Sequence, residues 1–461
     1  MFNFKKKISF FLIIFFIIFQ GNILLSSDND FFFDEIETNY SLAEKKENQI
    51  NHKDKEKLFS TSGQFSQHFV YGLKTTNNYF LRNQKGIDQI KSVLSLTLEG
   101  KPQDKFKFKF SGITELYLGN FVEGKYLFSN LKRKESLKDF YLDFNYDNGV
   151  WLRLGNQVIP RGEINSIIAT DIINPRDLSR LGQSELEEIR KHIPALLFSF
   201  PYKSSKIEFI TSLNAGSNII GGNYEPFDQN FFLNSSSIEY STILPEKDWE
   251  AILRTKFLVN GGNLDFTVGQ INWDQLSFVE KPVNYNGKEA QVFFGSDRVN
   301  VIGFSGNLAR SNFLFRYDLA YHDGRRFPKI NQDFSPWEKL NLFSSGVGLE
   351  YSGLSNILIS SEINSNNIQG NYQEFFLKRN YVGFMVQARW SFINELLNFN
   401  LLYNKSTLEN SNIVSLETSY DLSDTLDIKS KIVLYNSEEE TDFLYPYRDQ
   451  DVIKLTVDYS F

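Results

Sequence analysis

The stretch Asp104-Lys105-Phe106-Lys107-Phe108-Lys109-Phe110 carries phenylalanine and lysine in strict alternation. Side chains of an extended chain point to opposite faces with a period of two, so one face here is all Phe and the other all Lys. The same alternation recurs upstream at Leu94/Leu96/Leu98 against Ser95/Thr97/Glu99. Downstream it returns at Phe140/Leu142/Phe144 against Asp139/Tyr141/Asp143, and at Phe313/Phe315/Tyr317/Leu319/Tyr321 against Arg316/Asp318/Ala320. About eighteen segments of this kind run from residue 59 to the end, near 60–73, 90–99, 104–118, 136–146, 149–158, 195–201, 206–214, 249–259, 263–272, 297–309, 312–322, 342–351, 354–364, 379–391, 395–404, 411–421, 425–437 and 448–461.

The connections between them alternate short and long. Short ones fall near 100–103, 147–148, 260–262, 309–311, 352–353, 391–394 and 422–424, several with the Gly, Asn or Asp that tight hairpins favour. Long ones cover about 74–89, 119–135, 159–194, 215–248, 273–296, 323–341, 365–378 and 438–447, with 405–410 the shortest of that class. A soluble sandwich has no reason to gather every long loop at one end. A barrel in an outer membrane does, with short turns on the periplasmic side and long loops outside. In hydrocarbon each backbone N–H and C=O must be paired within the protein, so strands cross only as a closed barrel. The expected fold is therefore all-β: a transmembrane antiparallel barrel of 16–18 strands occupying residues 59–461.

Composition agrees. The 461 residues include 45 Phe, 22 Tyr and 5 Trp but no Cys. Mean hydropathy is −0.32, which excludes a bundle of apolar helices. Without Cys there is no disulfide framework and no lipidated cysteine. Lys5-Lys6-Lys7, the apolar run Ile8–Phe19 and the small residues to Ser27 read as a secretory signal peptide, residues 1–27. Its removal takes three Lys and no acid, moving the formal charge from −7 to −10. That balance argues against nucleic acid as a partner. Residues 28–58 are polar and charged and read as a periplasmic tether or short helix. The C-terminal strand alternates Ile453, Leu455, Val457, Tyr459, Phe461. This ending resembles the assembly signal of Gram-negative barrels, with Tyr459 and Phe461 its key residues and the barrel-assembly machinery and outer-membrane lipid as partners.

The longest connection, 159–194, is the third long loop. It holds five basic and six acidic residues, among them Arg161, Glu163, Asp171, Arg176, Asp177, Arg180, Glu187, Glu188 and Arg190, with Asn174 in the middle. In large porins the third loop commonly folds inward, and charges of both signs at a constriction filter solutes by charge and dipole. The same charges could instead pair with the wall and fix the loop. If each apolar strand face meets lipid, the lumen receives Arg153, Arg254, Lys256, Arg316, Asp318 and Arg389. Over all segments the lumen count is 12 basic against 13 acidic, which predicts no strong charge selectivity.

Arg153-Leu154-Gly155-Asn156-Gln157, then Arg161-Gly162-Glu163, Asp171, Asn174-Pro175-Arg176-Asp177 and Pro194, resembles a family of proteobacterial porin-like barrels. Its members include uncharacterised outer-membrane proteins and channels similar to alginate exporters. That family usually reads Gly-Arg-Gln and then Trp-Gly. Here Asn156 stands for the Arg and Arg161 for the Trp, while Asn-Pro-Arg-Asp is retained. The resemblance covers residues 150–195 and implies a passive channel without naming the solute.

Chemistry-bearing motifs are sparse. The histidines are His52, His68, His192 and His322, and no phosphate loop, dinucleotide fingerprint or EF-hand spacing occurs. No enzyme, metal or cofactor is expected. The 31 residues before the first strand are too few for the plug of an energised transporter. The leading function is a channel for passive diffusion or export of small hydrophilic solutes. The alternative is a plugged barrel acting as a receptor or adhesin through its long loops, and a fatty-compound or polysaccharide exporter is a third reading. Nothing in the sequence sets an oligomeric state.

Overall fold

The computed structural model describes residues 58–74, 85–122, 125–213, 216–221, 227, 240–285, 288–327, 337–370, 380–406, 411–438 and 444–461. The signal peptide 1–27 lies outside them, as does the tether 28–58 except for Leu58.

In chain order the strands are β1 (Phe59–Gly72), β2 (Gly86–Gln103), β3 (Phe106–Val122), β4 (Lys125–Asn145), β5 (Trp151–Gln157), β6 (Ile193–Tyr202), β7 (Ser205–Ser212), β8 (Tyr240–Ile243), β9 (Glu250–Val259), β10 (Gly262–Asn272), β11 (Ser277–Tyr285), β12 (Lys288–Gly295), β13 (Arg298–Arg310), β14 (Phe313–Phe327), β15 (Glu338–Leu354), β16 (Ile357–Gln369), β17 (Asn380–Phe392), β18 (Leu397–Ser406), β19 (Asn412–Ser423), β20 (Leu426–Asn436) and β21 (Val452–Ser460). Eighteen of them form one sheet in which consecutive members pair antiparallel, and β1 pairs with both β2 and β21. The sheet is thus a closed 18-stranded barrel with no free edge at its seam. At that seam the main chains of Gly63 and Phe461 exchange two hydrogen bonds, of 2.8 and 2.9 Å. A Cβ on Gly63 would collide with the Phe461 ring, so with any other residue there the ring must turn aside from its seat on the first strand.

The burial pattern is inverted relative to a soluble protein. Outward residues such as Phe304, Phe315 and Phe140 are about half exposed (50, 49 and 54%), whereas inward Asp318 and Glu362 are buried at 0 and 1%. The outward apolar side chains gain nothing from water; they fit the hydrocarbon around the barrel. The apolar face of every alternation quoted above is the outward one. Phe106 and Phe144 (5.2 Å between centroids) and Phe313 and Tyr351 (4.9 Å) form aromatic pairs beside the short turns.

Three features differ from the sequence reading. The connections 215–248 and 273–296 contain β8, β11 and β12, which form a separate small sheet with β8 parallel to β12. Its register slips repeatedly, at Phe278/Glu280 among others, so it lacks the unbroken period of two that marks the wall strands. The connection 119–135 is largely strand, because β3 and β4 run on as a long hairpin. Finally, short turns use more than Gly, Asn and Asp: Lys203, Ser311, Ile393 and Glu395 have φ of 55, 56, 55 and 69°. A β-branched Ile393 in that region costs on the order of 1–2 kcal/mol, a strain the paired strands on either side impose.

β5 is the shortest wall strand, 7 residues against the 9–11 a spanning strand needs. Its partner β4 continues past the last shared pair, Phe140↔Asn156. There the Asn156 amide donates to the carbonyls of Leu137 (3.3 Å) and Lys138 (2.5 Å), replacing the backbone partner β5 no longer provides. The chain has left the wall at this point and turned inward.

Candidate pore and its inward loop

Between β5 and β6 the third long loop crosses the barrel interior. Its first half carries Ile159, Ile164, Ile167, Ala169, Ile172 and Ile173, all buried against inward residues of β6, β7, β9, β10, β13 and β14, including Leu197, Ile210, Ile252 and Val301. Its second half carries Leu178, Leu181, Leu186 and Ile189, buried with Val70, Ile413, Val433 and Tyr435 of β1, β19 and β20 on another arc of the wall. A one-turn helix, α1 (Leu186–Ile189), turns Leu186 and Ile189 into this cluster. Gly346 on β15 leaves the space Ile164 fills: a Cβ there would lie 2.9 Å from Ile164 Cγ2.

Polar contacts fix the same path. Glu362 of β16 accepts the main-chain N–H groups of Asn165 (3.1 Å) and Ser166 (2.9 Å), and also pairs with Arg316 (3.3 Å). Asp318 accepts the Thr170 hydroxyl (2.8 Å), and Asn307 donates to both oxygens of Glu163 (3.1 and 3.0 Å). Arg161 pairs with Glu208 of β7 at 3.0 Å. On the far side Arg180 pairs with Asp88 of β2 (2.5 Å), Glu185 with Lys431 (2.5 Å), and Lys454 donates to the Gln183 carbonyl (3.3 Å). His192 reaches Asp139 of β4 at 3.2 Å.

Inside the loop Asp171 is the hub. Arg176 Nη2 donates to it at 2.7 Å, Arg190 Nη2 and Nε at 2.9 and 3.1 Å, and the Arg161 main-chain N–H at 3.1 Å. Burial alone would raise its pKa, but Arg190, Arg176 and the Arg161 N–H overcome that and hold it below the usual carboxylate range. Burial pulls Arg161 down to about 10, offset in part by Glu208, and lowers Arg176, offset by Asp171. Burial pushes Glu163 up, opposed by the Asn307 hydrogen bond. Burial also acts to raise Glu188, yet Lys454 and Lys431 keep it below its ordinary value. Asn174 staples the loop's two stems: its Oδ1 accepts the Ile159 N–H (2.8 Å) and its Nδ2 donates to the Lys191 carbonyl (2.8 Å). Asp177 accepts the Ser179 N–H (3.0 Å) and hydroxyl (2.5 Å), a local turn. Glu187 is half exposed and 3.7 Å from Arg190.

On the wall, Arg254 bridges Glu208 (3.1 Å) and Asp265 (2.6 Å). Lys256 stands opposite Asp265 on the inward face. Arg153 makes a bidentate pair with Asp143 (2.7 and 2.9 Å) while lying over the Tyr141 and Trp151 rings (3.9 and 5.0 Å). Arg389 sits inward on β17 across from Asn400. Arg161, Asp171, Arg176 and Arg190 are thus brought together, and Arg316 meets the loop through Glu362. Arg153 and Arg389 are apart from it. Glu208, Glu362, Asp318, Asp139 and Asp88 are wall carboxylates that hold the loop. Glu208 and Glu362 show in the sequence only as inward acids, and Asp88 falls where it reads as loop; none has a local sign of its partner.

No family model and no curated protein matches this chain. Solved structures do. Pseudomonas aeruginosa OccK8 (OprE) is 10% identical and aligns over 87% of this chain and 98% of its own, with TM-score 0.52. Acinetobacter baumannii OccAB1 is 8% identical over 87% and 96%, TM-score 0.53. A BenF-like porin from Pseudomonas fluorescens Pf-5 is 8% identical over 87% and 98%, TM-score 0.53. At these identities the likeness is one of fold: an 18-stranded porin-type barrel.

Proposed function

We propose that this protein is a porin-like channel of the Gram-negative outer membrane, passing small hydrophilic solutes by passive diffusion, with residues 159–194 as its constriction. The observation that carries this reading is the loop itself. It crosses the lumen, fixed to the wall by buried polar pairs and by inward apolar side chains, inside a barrel whose outer face is apolar. Arg161, Glu163, Asp171, Arg176, Arg190 and the wall residues Arg254, Arg316 and Asp318 set the electrostatics beside the passage. Six of these eight charges are in ion pairs, while Glu163 and Asp318 are held by the neutral Asn307 and Thr170, so the reading is a channel of weak charge preference. The Pseudomonas aeruginosa OpdK structure, solved with vanillate, shares this fold at 8% identity and TM-score 0.51, and makes small organic acids reasonable first solutes to test. The sequence likeness to alginate-export-like channels, confined to residues 150–195, makes export the direction to test beside uptake. In this reading residues 1–27 direct export, 28–58 form a periplasmic tether, and Tyr459 with Phe461 is read by the assembly machinery. The chain does no covalent chemistry.

A second reading has a specific observation behind it. Both halves of the loop bury apolar side chains against different arcs of the wall, which suits a plugged barrel acting as a surface receptor. Purified protein in a planar bilayer separates the two. Stepwise conductance that grows when residues 165–190 are deleted supports the channel. A folded barrel that never conducts until the deletion is made supports the plug.

A further inference from the structure

The inference concerns the outer surface of the barrel and rests on the outer-membrane reading above. Outward residues of β13 run Arg298, Asn300, Ile302, Phe304, and onward to Leu308 near the short turn. Twelve residues separate Arg298 from Arg310, about 40 Å of strand, or roughly 30 Å of height at a 40° tilt. That places Arg298 at the upper border of an apolar band about 25 Å tall.

A charge facing lipid at this level needs a partner. The Arg298 guanidinium lies over the Trp249 ring, 4.3 Å from its centroid. One N–H group is donated to the Trp249 carbonyl, and another to Gln270 Oε1 at 3.0 Å. Gln270 Nε2 donates to Asn300 Oδ1 (2.9 Å), and Asn300 Nδ2 to Asp323 (3.1 Å). Both direct partners of Arg298 are neutral, and among the described residues no carboxylate lies within ion-pair distance of it. Asp323 is three hydrogen bonds away, and Glu250, the acid it feels electrostatically, is buried on the inward side. Other arginines of the described wall strands pair directly with a carboxylate: Arg133, Arg153, Arg254, Arg316 and Arg326. Of five guanidinium donors, three have no acceptor among the described residues; the Nε–H is buried, and the second N–H on each of Nη1 and Nη2 is left for a ligand.

We propose that Arg298, oriented by Trp249 and Gln270, binds the phosphate of an outer-leaflet glycolipid on the barrel's lipid-facing surface. The planar fork of arginine suits a tetrahedral oxyanion, and its stacking on Trp249 fixes the fork in place. Below it, Leu253, Val268 and Ile302 are 45, 36 and 48% exposed and offer an apolar track to the acyl chains. The choice of glycolipid follows from position: the site is at the long-loop end, hence in the external leaflet.

The test is native mass spectrometry of the full barrel in detergent, titrated with diphosphoryl lipid A. Wild type should retain it, and Arg298→Gln should weaken retention at least tenfold. Arg298→Lys should lie between, because it keeps the charge and loses the fork. Gln270→Glu, which supplies an internal carboxylate, should weaken binding like Arg298→Gln, and covers the case in which that variant folds poorly. Arg310→Gln, at the opposite end of the same strand, should bind as wild type. The proposal is overturned if Arg298→Gln and Gln270→Glu bind normally, if lipid A stripped of both phosphates binds equally well, or if phosphatidylglycerol is preferred over lipid A. Bilayer conductance of Arg298→Gln should be unchanged, so loss of lipid binding and failure of the channel reading are seen separately.

Discussion

Glu362 on β16 accepts the main-chain N–H of Ser166 at 2.9 Å, joining residues 196 positions apart. The same carboxylate takes the Asn165 N–H, so two buried donors of the loop depend on one wall residue. Replacing it by Gln weakens these bonds and leaves buried Arg316 without its carboxylate, a cost of about 3–5 kcal/mol. Glu362→Gln should loosen residues 162–170 without unfolding the barrel. Faster amide exchange in that segment and added conductance substates are the expected result; a protection pattern identical to wild type would remove Glu362 as an anchor.

Asp171 neutralises two buried arginines at once. Asp171→Asn strands Arg176 without a carboxylate and leaves Arg190 only the half-exposed Glu187 at 3.7 Å, and breaking a buried pair from one side costs about 3–5 kcal/mol. The loop should detach from the wall while the strands persist. Proteolysis confined to 159–194, with the heat-resistant barrel band intact on a gel, is the readout.

The two loop acids respond to pH in opposite senses. Asp171 has a folded pKa held below its ordinary value of 3.8 by Arg190 and Arg176 acting against burial. Its contribution is complete above that value and is lost as pH falls through the lower folded one. Glu163 is pushed above 4.5 by burial, so its contribution is present below 4.5 and fades as pH rises through the folded value. Wild-type loop closure, read as single-channel conductance, should therefore fail at strongly acidic pH. Glu163→Gln should leave that acid limit in place and remove the weakening on the higher side. An acid limit that moves with Glu163→Gln would assign it to the wrong residue.

Arg153 and Asp143 neutralise each other below the loop, and Arg153 is further held on Tyr141 and Trp151. Arg153→Met leaves Asp143 facing the aqueous lumen alone. The reversal potential in a potassium chloride gradient should move toward cation preference, and the double variant with Asp143→Asn should restore it.

Closure of the barrel depends on the seat of Phe461 on Gly63. Gly63→Val fills the space the ring occupies and should slow folding into lipid vesicles several-fold, as measured by the appearance of the heat-modifiable band. Removing Phe461 should give a similar delay. A normal rate for both variants would limit the contact to decoration of the finished seam.

The sequence alone was enough for the wall. The alternation at Phe106–Phe110, at Phe313–Tyr321 and in each of the other segments marks a strand and its lipid face, because strand geometry ties facing to a period of two within a few residues. The hairpin ends and the alternation of short and long connections gave orientation, and the charged third loop stood out by length. What the sequence could not show is where that loop goes. Asp171 with Arg190, Glu362 with Ser166 and Arg180 with Asp88 are pairs whose partners lie far along the chain, and nothing local to Glu362 distinguishes it from Glu350 twelve residues earlier. The small sheet of β8, β11 and β12 escaped because its bulges break the period. Arg298 reads as the polar start of a strand; only the closed barrel sets it beside Trp249 and Gln270 with no acid among the described residues in ion-pair reach. Local periodicity fixes elements and their faces, whereas contacts between distant side chains exist only once barrel closure has brought opposite walls to within the span of one loop.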